Sequence, residues 1–121
     1  MGININDKKQ PFTEQILNGT KTIETRNTDS LRSKVGHRVG IVRTGKGKAI
    51  LVGFAVIGSP KIYSTVKAFR TDQNKHQVAK GSPFDIKKKK FGYPMLNVEV
   101  LEEPIIVKNK GIVFRNISDI I

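Results

Sequence analysis

PFTEQILNGTKTIETR, residues 11–26 and here called the opening stretch, combines the pattern of a helix with that of a strand. Pro11 suits the first turn of a helix, and the apolar residues that follow share one helical face. These apolar residues are Phe12, Ile16 and Leu17. Gly19 can adopt the left-handed backbone that ends a helix, and β-branched residues are frequent across residues 20–26. The stretch therefore predicts a short helix that leads directly into a strand.

The predicted strand carries three charged side chains, although charged residues are usually kept out of strand interiors. Alternation places Thr22, Glu24 and Arg26 on one face of the strand. It places Lys21, Ile23 and Thr25 on the other face. We expect Ile23 to point to the core and Lys21 to lie at the rim, beside the end of the helix. Glu24 and Arg26 should form a partly buried ion pair.

The charges in this strand have two interpretations. In the first, the face lines a cleft where Lys21 and Arg26 contact phosphates. Glu24 would then accept a hydrogen bond from a base amino group or orient Arg26. In the second, the strand lies at the edge of a sheet and its charges prevent aggregation. The residue types alone favour neither interpretation.

The composition indicates a single domain that spans residues 1–121. A chain of this length can bury a core without disulfides, and it contains no cysteine. The longest apolar run, residues 49–57, is too short to cross a bilayer. The N-terminus does not have the pattern of a secretory signal. We expect a cytoplasmic protein that does not bind membranes.

The net charge of +12 is concentrated in the middle of the chain. Residues 30–90 hold fifteen basic and two acidic side chains, a net of +13, whereas the two flanking segments are nearly neutral. A field of one sign attracts polyanions, and nucleic acid is the commonest polyanion in a cytoplasm. The alternative is a basic surface that only improves solubility. The concentration of the charge favours nucleic acid.

The remaining elements predict an α+β fold. The predicted strands are 39–43, 49–57, a long strand or bent pair over 93–107, and a last strand at 112–114. A glycine-containing loop at residues 44–48 joins the first two strands as a hairpin, and helical spacing predicts a second helix over 63–79. Several short strands and two main helices indicate a small, partly closed β-barrel with helices over its openings.

Basic and aromatic residues outside the opening stretch add candidate RNA contacts. The basic candidates are Arg43, Lys46 and Lys48 around the hairpin loop, and Lys87, Lys88, Lys89 and Lys90 in a later run. Tyr93 could stack on an unpaired base, whereas Phe91 is expected in the core. His37 is expected in a surface turn, and no carboxylate or cysteine is spaced to bind a metal with either His37 or His76.

The opening stretch also carries a family resemblance. Residues 11–26 contain the pattern Pro-x4-Ile-Leu-x-Gly-x-Lys-Thr-Ile-Glu-x-Arg, and residues 36–41 contain Gly-x-Arg-Val-x-Ile. Together they resemble the opening signature of the ASCH domain family, which belongs to the PUA-like superfamily of small β-barrels. Residues 91–93 are similar to that family's aromatic entry into a late strand. The resemblance implies a PUA-like barrel with an RNA-binding cleft beside residues 19–26.

The superfamily to which this resemblance points also includes enzymes. Some bacterial members of the superfamily are amidohydrolases that act on acylated cytidine, and other members are described as ribonucleases. The amidohydrolases use a lysine that corresponds to Lys21, together with a threonine nucleophile and a distant glutamate. In this chain Glu24 occupies the threonine position, and Thr25 is expected on the opposite, core-directed face. This departure argues against amide hydrolysis, since a threonine nucleophile needs an adjacent base and free access.

We therefore expect a binding domain rather than an enzyme, with RNA as its partner and no cofactor. The first alternative is a small hydrolase that acts on RNA or on an acylated nucleoside in the same cleft. Lys21 and Glu24 would then be the candidate catalytic residues, as a cation for the phosphate and a general base. The second alternative is a factor of the kind encoded by phages or mobile elements, which binds an acidic protein.

Overall fold

The computed structural model describes residues 2–107, which form a six-stranded mixed sheet with three short α-helices. The strands are β1 (Gly2–Asn6), β2 (Ile23–Arg26), β3 (Arg38–Thr44), β4 (Ile50–Ile57), β5 (Lys61–Tyr63) and β6 (Lys90–Ile106). The helices are α1 (Phe12–Leu17), α2 (Val66–Thr71) and α3 (Gln73–His76), and a 3₁₀ turn covers Arg32–Lys34.

The strand order is β1-β3-β4-β6-β2, with β5 paired to β6 beside this path. β1 runs parallel to β3, and every other named pair is antiparallel. The start of β6 pairs with β2 and β5, and the rest of this strand pairs with β4 through two register shifts. Because such shifts bend a strand, β6 curves the sheet into a half-barrel. The prediction of a small, partly closed α+β barrel is confirmed.

The opening stretch folds as a helix followed by a strand, as its sequence predicts. Helix α1 ends at Asn18, and Gly19 follows with a φ of +85°, which is the left-handed conformation expected of a glycine after a helix. β2 begins at Ile23, three residues later than predicted, and the backbone N–H of Lys21 donates to Gln15 at the end of the helix. Lys21 therefore belongs to the connection and not to the strand.

The prediction of one long helix over residues 63–79 is wrong. Tyr63 ends strand β5, and Thr65 caps α2 by accepting a hydrogen bond from the backbone N–H of Ala68. α3 follows at once and ends at Gln77, whose φ is +62°. Residues 2–107 thus contain three short helices in place of two main ones, because the polar cap at Thr65 and the left-handed Gln77 limit α2 and α3 locally.

Strand β1 was not predicted from the sequence. Its residues alternate, and the side chains of Ile3 and Ile5 are almost fully buried against the sheet. The hairpin of β3 and β4 is confirmed, and residues 93–106 of the predicted segment 93–107 belong to one bent strand rather than to a pair. The predicted strand at 112–114 lies outside the described residues. Within residues 2–107, no helix has the length and apolar character needed to span a membrane.

Most buried apolar side chains form one core between the concave side of the sheet and the helices. It includes Ile3 of β1, Ile16 of α1, Ile41 of β3, Ile57 of β4 and Phe69 of α2. Helix α1 packs on β1, β3 and β6, and α3 packs on β2. These contacts fix the ends of β1, β2 and β6 around the mouth of a cleft.

Candidate functional site

The cleft has a volume of about 240 Å³ and opens beside α1, β1, β2 and the first residue of β6. Its lining consists of Asn4, Ile5, Asn6, Phe12, Lys21, Glu24, Thr25, Arg26, Asn27, Phe84 and Lys90. The three charged residues of the opening stretch are thus brought together in one cleft, as the first interpretation of that stretch predicts. The second interpretation is correct in placing this strand at an edge, because β2 ends the strand order and, among the strands of residues 2–107, pairs only with β6. However, Lys21 and Glu24 are buried in the cleft and are not exposed along that edge.

Lys21 is buried, with 1% of its surface exposed, so its predicted position at the rim is wrong. Its Nζ donates to the backbone carbonyl of His76 at 2.5 Å and lies 3.7 Å from a carboxylate oxygen of Glu24. The ammonium also lies 4.6 Å from the centre of the Phe12 ring. Burial lowers the pKa of Lys21, and the charge of Glu24 opposes that shift. Lys21 is a fixed internal cation and not a mobile surface contact.

The predicted pair of Glu24 and Arg26 is confirmed. A guanidinium nitrogen of Arg26 lies 3.1 Å from Glu24 Oε2 and donates to the backbone carbonyl of Asn4 at 2.9 Å. Glu24 is 7% exposed and stands between Lys21 and Arg26, so one carboxylate compensates two cations. The Nε of Arg26 is buried and has no hydrogen-bond partner within the described residues.

Lys90 differs from the other lysines of its run. Lys87, Lys88 and Lys89 are exposed, whereas Lys90 is 3% exposed and lines the cleft. Lys90 enters β6 opposite Tyr63 of β5, and this position carries its side chain inward. Within residues 2–107 its ammonium makes no hydrogen bond or ion pair. Burial lowers the pKa of Lys90, with Glu24 acting in the opposite direction and Arg26 adding to the shift.

The electrostatic balance of the cleft is positive. Three cations and one carboxylate line it, which gives a net charge of +2 when all four groups are ionised. A buried charge without a partner is costly to the folded state, and it becomes favourable when a ligand of opposite sign replaces the lost water. The arrangement is therefore suited to an anion.

One wall of the cleft is apolar and aromatic. The rings of Phe12 and Phe84 meet edge to face with their centres 5.8 Å apart, and Phe84 is half-buried. Phe84 was not predicted from the sequence because it lies far in sequence from residues 11–26, and the asparagines of β1 were not predicted because strand β1 itself was missed. Thr25 also lines the cleft and is half-buried, so its predicted direction into the core is wrong.

Other predicted contacts lie outside the cleft. Tyr93 is fully buried in the core, so the prediction that its ring stacks on a base is wrong, whereas the core position of Phe91 is confirmed. Arg43 lines a second hollow with residues of α1, β4 and β6. Lys46 and Lys48 are exposed in the hairpin loop, which begins beside the end of β1.

The two helices α2 and α3 support Lys21 through a buried polar network. The Tyr63 hydroxyl donates to Asp72 Oδ2 at 2.6 Å, which anchors the start of α3 to β5. At the other end of α3, the His76 ring stacks on Phe69 at 3.8 Å and accepts a hydrogen bond from the backbone of Val78. This packing fixes the His76 carbonyl that receives the Lys21 ammonium.

Neither histidine is placed to bind a metal. His37 is exposed in the turn before β3, as predicted, and His76 is buried with both ring nitrogens in hydrogen bonds to the backbone. Burial lowers the pKa of His76. In the part of the chain that the structure describes, no group of three or more histidine, cysteine or acidic side chains is arranged for a metal ion.

The fold is similar to solved structures of the ASCH protein from Zymomonas mobilis. A tyrosine-to-phenylalanine mutant of that protein matches with a TM-score of 0.64 and 18% identity, over 86% of this chain and 73% of that one. The unsubstituted protein matches with a TM-score of 0.57 and 18% identity, over 85% and 68% of the two chains. No protein-family model and no curated protein matches the sequence. The structural likeness nevertheless covers most of both chains, and the chain has the fold of an ASCH domain.

Proposed function

We propose that the protein binds RNA and that the cleft receives one nucleotide of a single strand. The observation that carries the proposal is Lys90, whose buried side chain has no hydrogen bond or ion pair within residues 2–107 and lines a cleft with a net charge of +2. A phosphate supplies the missing negative charge, since phosphates are the anionic groups that lysine and arginine bind in nucleic acids.

The size and the lining of the cleft favour a single strand over a duplex. A volume of about 240 Å³ accommodates one nucleotide-sized group and excludes a helix. RNA-binding proteins commonly take unstacked nucleotides of single strands and pack their rings on aromatic side chains. Phe84 offers a half-exposed ring for that contact, and Glu24 offers a carboxylate that can accept from a base amino group.

Exposed basic residues near the cleft supply a path for the rest of the strand. Lys87, Lys88 and Lys89 precede Lys90 directly and are exposed. The hairpin loop with Lys46 and Lys48 begins beside Asn6, which lines the cleft. Contacts of this kind add affinity that does not depend on base sequence and that falls as salt rises.

The proposal is tested with a fluorescent single-stranded RNA of random sequence and measurements of anisotropy at several salt concentrations. Arg26→Gln and Lys90→Met remove one cation each from the cleft and should each weaken binding by about tenfold. Lys67→Gln is the matched control, because Lys67 is exposed on α2 and does not line the cleft. Equal affinity in all four proteins would refute binding through the cleft.

A hydrolase is the second candidate, and the position of Thr25 favours it. Thr25 lines the cleft together with Lys21, whose pKa is lowered by burial. The Lys21 ammonium would stabilise negative charge in the transition state, and the Glu24 carboxylate beside it would be the general base. Turnover of acylated cytidine or of labelled RNA by the protein, lost in Thr25→Val, would support an enzyme. Absence of turnover with both substrates would contradict it.

A further inference from the structure

We infer that the cleft recognises a terminal phosphate, that is, a phosphate monoester at the end of an RNA strand or on a free mononucleotide. This inference rests on the proposed function and specifies which part of the nucleic acid enters the cleft. Three features of the cleft support this inference: its charge, its donors and its volume.

The charge of the cleft matches a monoester better than a diester. Lys21, Arg26 and Lys90 contribute three positive charges and Glu24 contributes one negative charge. A phosphate within a strand carries one negative charge, whereas a phosphate monoester carries about −1.5 to −2 at pH 7. A terminal phosphate thus neutralises the cleft, and an internal phosphate leaves about one buried positive charge uncompensated.

The three cations of the cleft differ in the partners that they already have. The ammonium of Lys21 is engaged by the His76 carbonyl and by Glu24, so it has a partner on each side. Lys90 makes no hydrogen bond or ion pair within residues 2–107, and the Nε of Arg26 is buried without a partner. Arg26 lies near enough to Lys90 for its charge to lower the pKa of that lysine. Lys90 and Arg26 are therefore the phosphate ligands, and Glu24 holds Arg26 in place.

The volume of the cleft suits the end of a strand. Pockets for drug-sized ligands measure about 300–1,000 Å³, and the cleft, at about 240 Å³, is smaller. A cleft of this volume accommodates one nucleotide-sized group, which is what the end of a strand presents. The aromatic wall of Phe12 and Phe84 then contacts the terminal sugar or base.

The test compares four probes. Three are forms of one short RNA, with a 5′-phosphate, with a 3′-phosphate and with neither. The fourth is a nucleoside monophosphate. Affinities are measured by calorimetry for the protein, for Lys90→Met and for Lys67→Met, whose lysine is exposed on α2 and does not line the cleft. We expect one phosphorylated RNA to bind at least about tenfold more tightly than the unphosphorylated RNA. Lys90→Met should remove this preference, and Lys67→Met should keep it. Arg26→Gln, as a second variant, should reduce it.

The pH dependence provides a second readout. The second pKa of a phosphate monoester is about 6, so the preference should shrink as the pH falls from 7.5 to 5.5. An internal diester has no such proton, and the affinity of the unphosphorylated RNA should not follow the same curve. Tight binding of the nucleoside monophosphate would identify a free mononucleotide as the source of the phosphate.

The outcomes separate this inference from the proposed function. If all three RNAs bind equally and all lose affinity in Lys90→Met, the cleft binds RNA but does not recognise a terminal phosphate. If only the nucleoside monophosphate binds, the inference holds and the RNA proposal fails. If none of the four probes binds, both fail.

Discussion

Replacement of Lys90 by methionine should make the free protein more stable while it removes the anion site. Lys90 is 3% exposed and has no ion pair or hydrogen bond with the described residues, so the folded state bears the desolvation cost of its ammonium. Met has a similar length and fills the same space without the charge. Replacement of a buried ion pair by apolar side chains of similar volume is often neutral or stabilising by about 1–4 kcal/mol, and for this single ammonium we expect about 2 kcal/mol.

A gain of this size should raise the melting temperature by about 8 °C in a domain of this length. The assay is thermal unfolding at pH 7 by circular dichroism, with Lys88→Met as the control. Lys88 is exposed, so its replacement should change stability by less than about 0.5 kcal/mol. A melting temperature of Lys90→Met well below that of the control would refute the reasoning, because it would mean that the ammonium stabilises the fold.

The difference in stability between Lys90→Met and the unsubstituted protein should depend on pH in one direction. The pKa of Lys90 is lower in the folded protein than its ordinary value of 10.5. Between the folded pKa and 10.5 the unfolded chain binds more protons than the folded one, so stability rises with pH in that window. Below the window the burial cost is fully present. The advantage of Lys90→Met should therefore shrink as the pH approaches 10.5.

The remaining predictions concern the support of the cleft. Glu24→Gln removes the carboxylate shared by two cations and should destabilise the fold by about 3 kcal/mol, measured by urea unfolding. Tyr63→Phe removes the hydroxyl that donates to Asp72 and should cost about 1–2 kcal/mol. That hydrogen bond lowers the pKa of Asp72 below its ordinary value of 3.8. The stability that it gives the folded protein is therefore fully present above pH 3.8 and is lost as the pH falls through the lower pKa that Asp72 has in the folded state. The acid unfolding of Tyr63→Phe should accordingly begin at higher pH. Gly92→Ala would place a methyl group 2.7 Å from the Tyr63 ring and should lower the melting temperature, whereas an unchanged value would contradict the packing described for β6.

Local patterns predicted the elements of the fold well. Helix α1, its glycine end and the β3–β4 hairpin depend on residues close in sequence, and these signals were sufficient. The prediction of one long helix over 63–79 is wrong because the cap at Thr65 and the left-handed Gln77 limit the helical part of this segment to two short helices. Strand β1 was missed because five residues at a chain end give a weak signal, although Ile3 and Ile5 alternate with polar residues.

The site was predicted only in part, because burial of a charged residue depends on distant partners. Lys21 is enclosed by a carbonyl from His76, 55 residues away, and no local pattern reveals that contact. Lys90 follows three exposed lysines in one run, and its inward direction depends on pairing with β5. Tyr93 follows Lys90 by three residues and lies in the core, where its ring is inaccessible to a base.

The most direct test of the account is to titrate ¹⁵N-labelled protein with a short 5′-phosphorylated single-stranded RNA and record the amide spectrum. If the cleft binds the strand, the largest shifts should fall on residues 4–6, 21–27 and the neighbourhood of Phe84 and Lys90. The hollow around Arg43 should change little, because it lies outside the cleft. Shifts centred on that hollow, or a spectrum that does not change, would contradict the claim that an RNA phosphate binds beside Lys90.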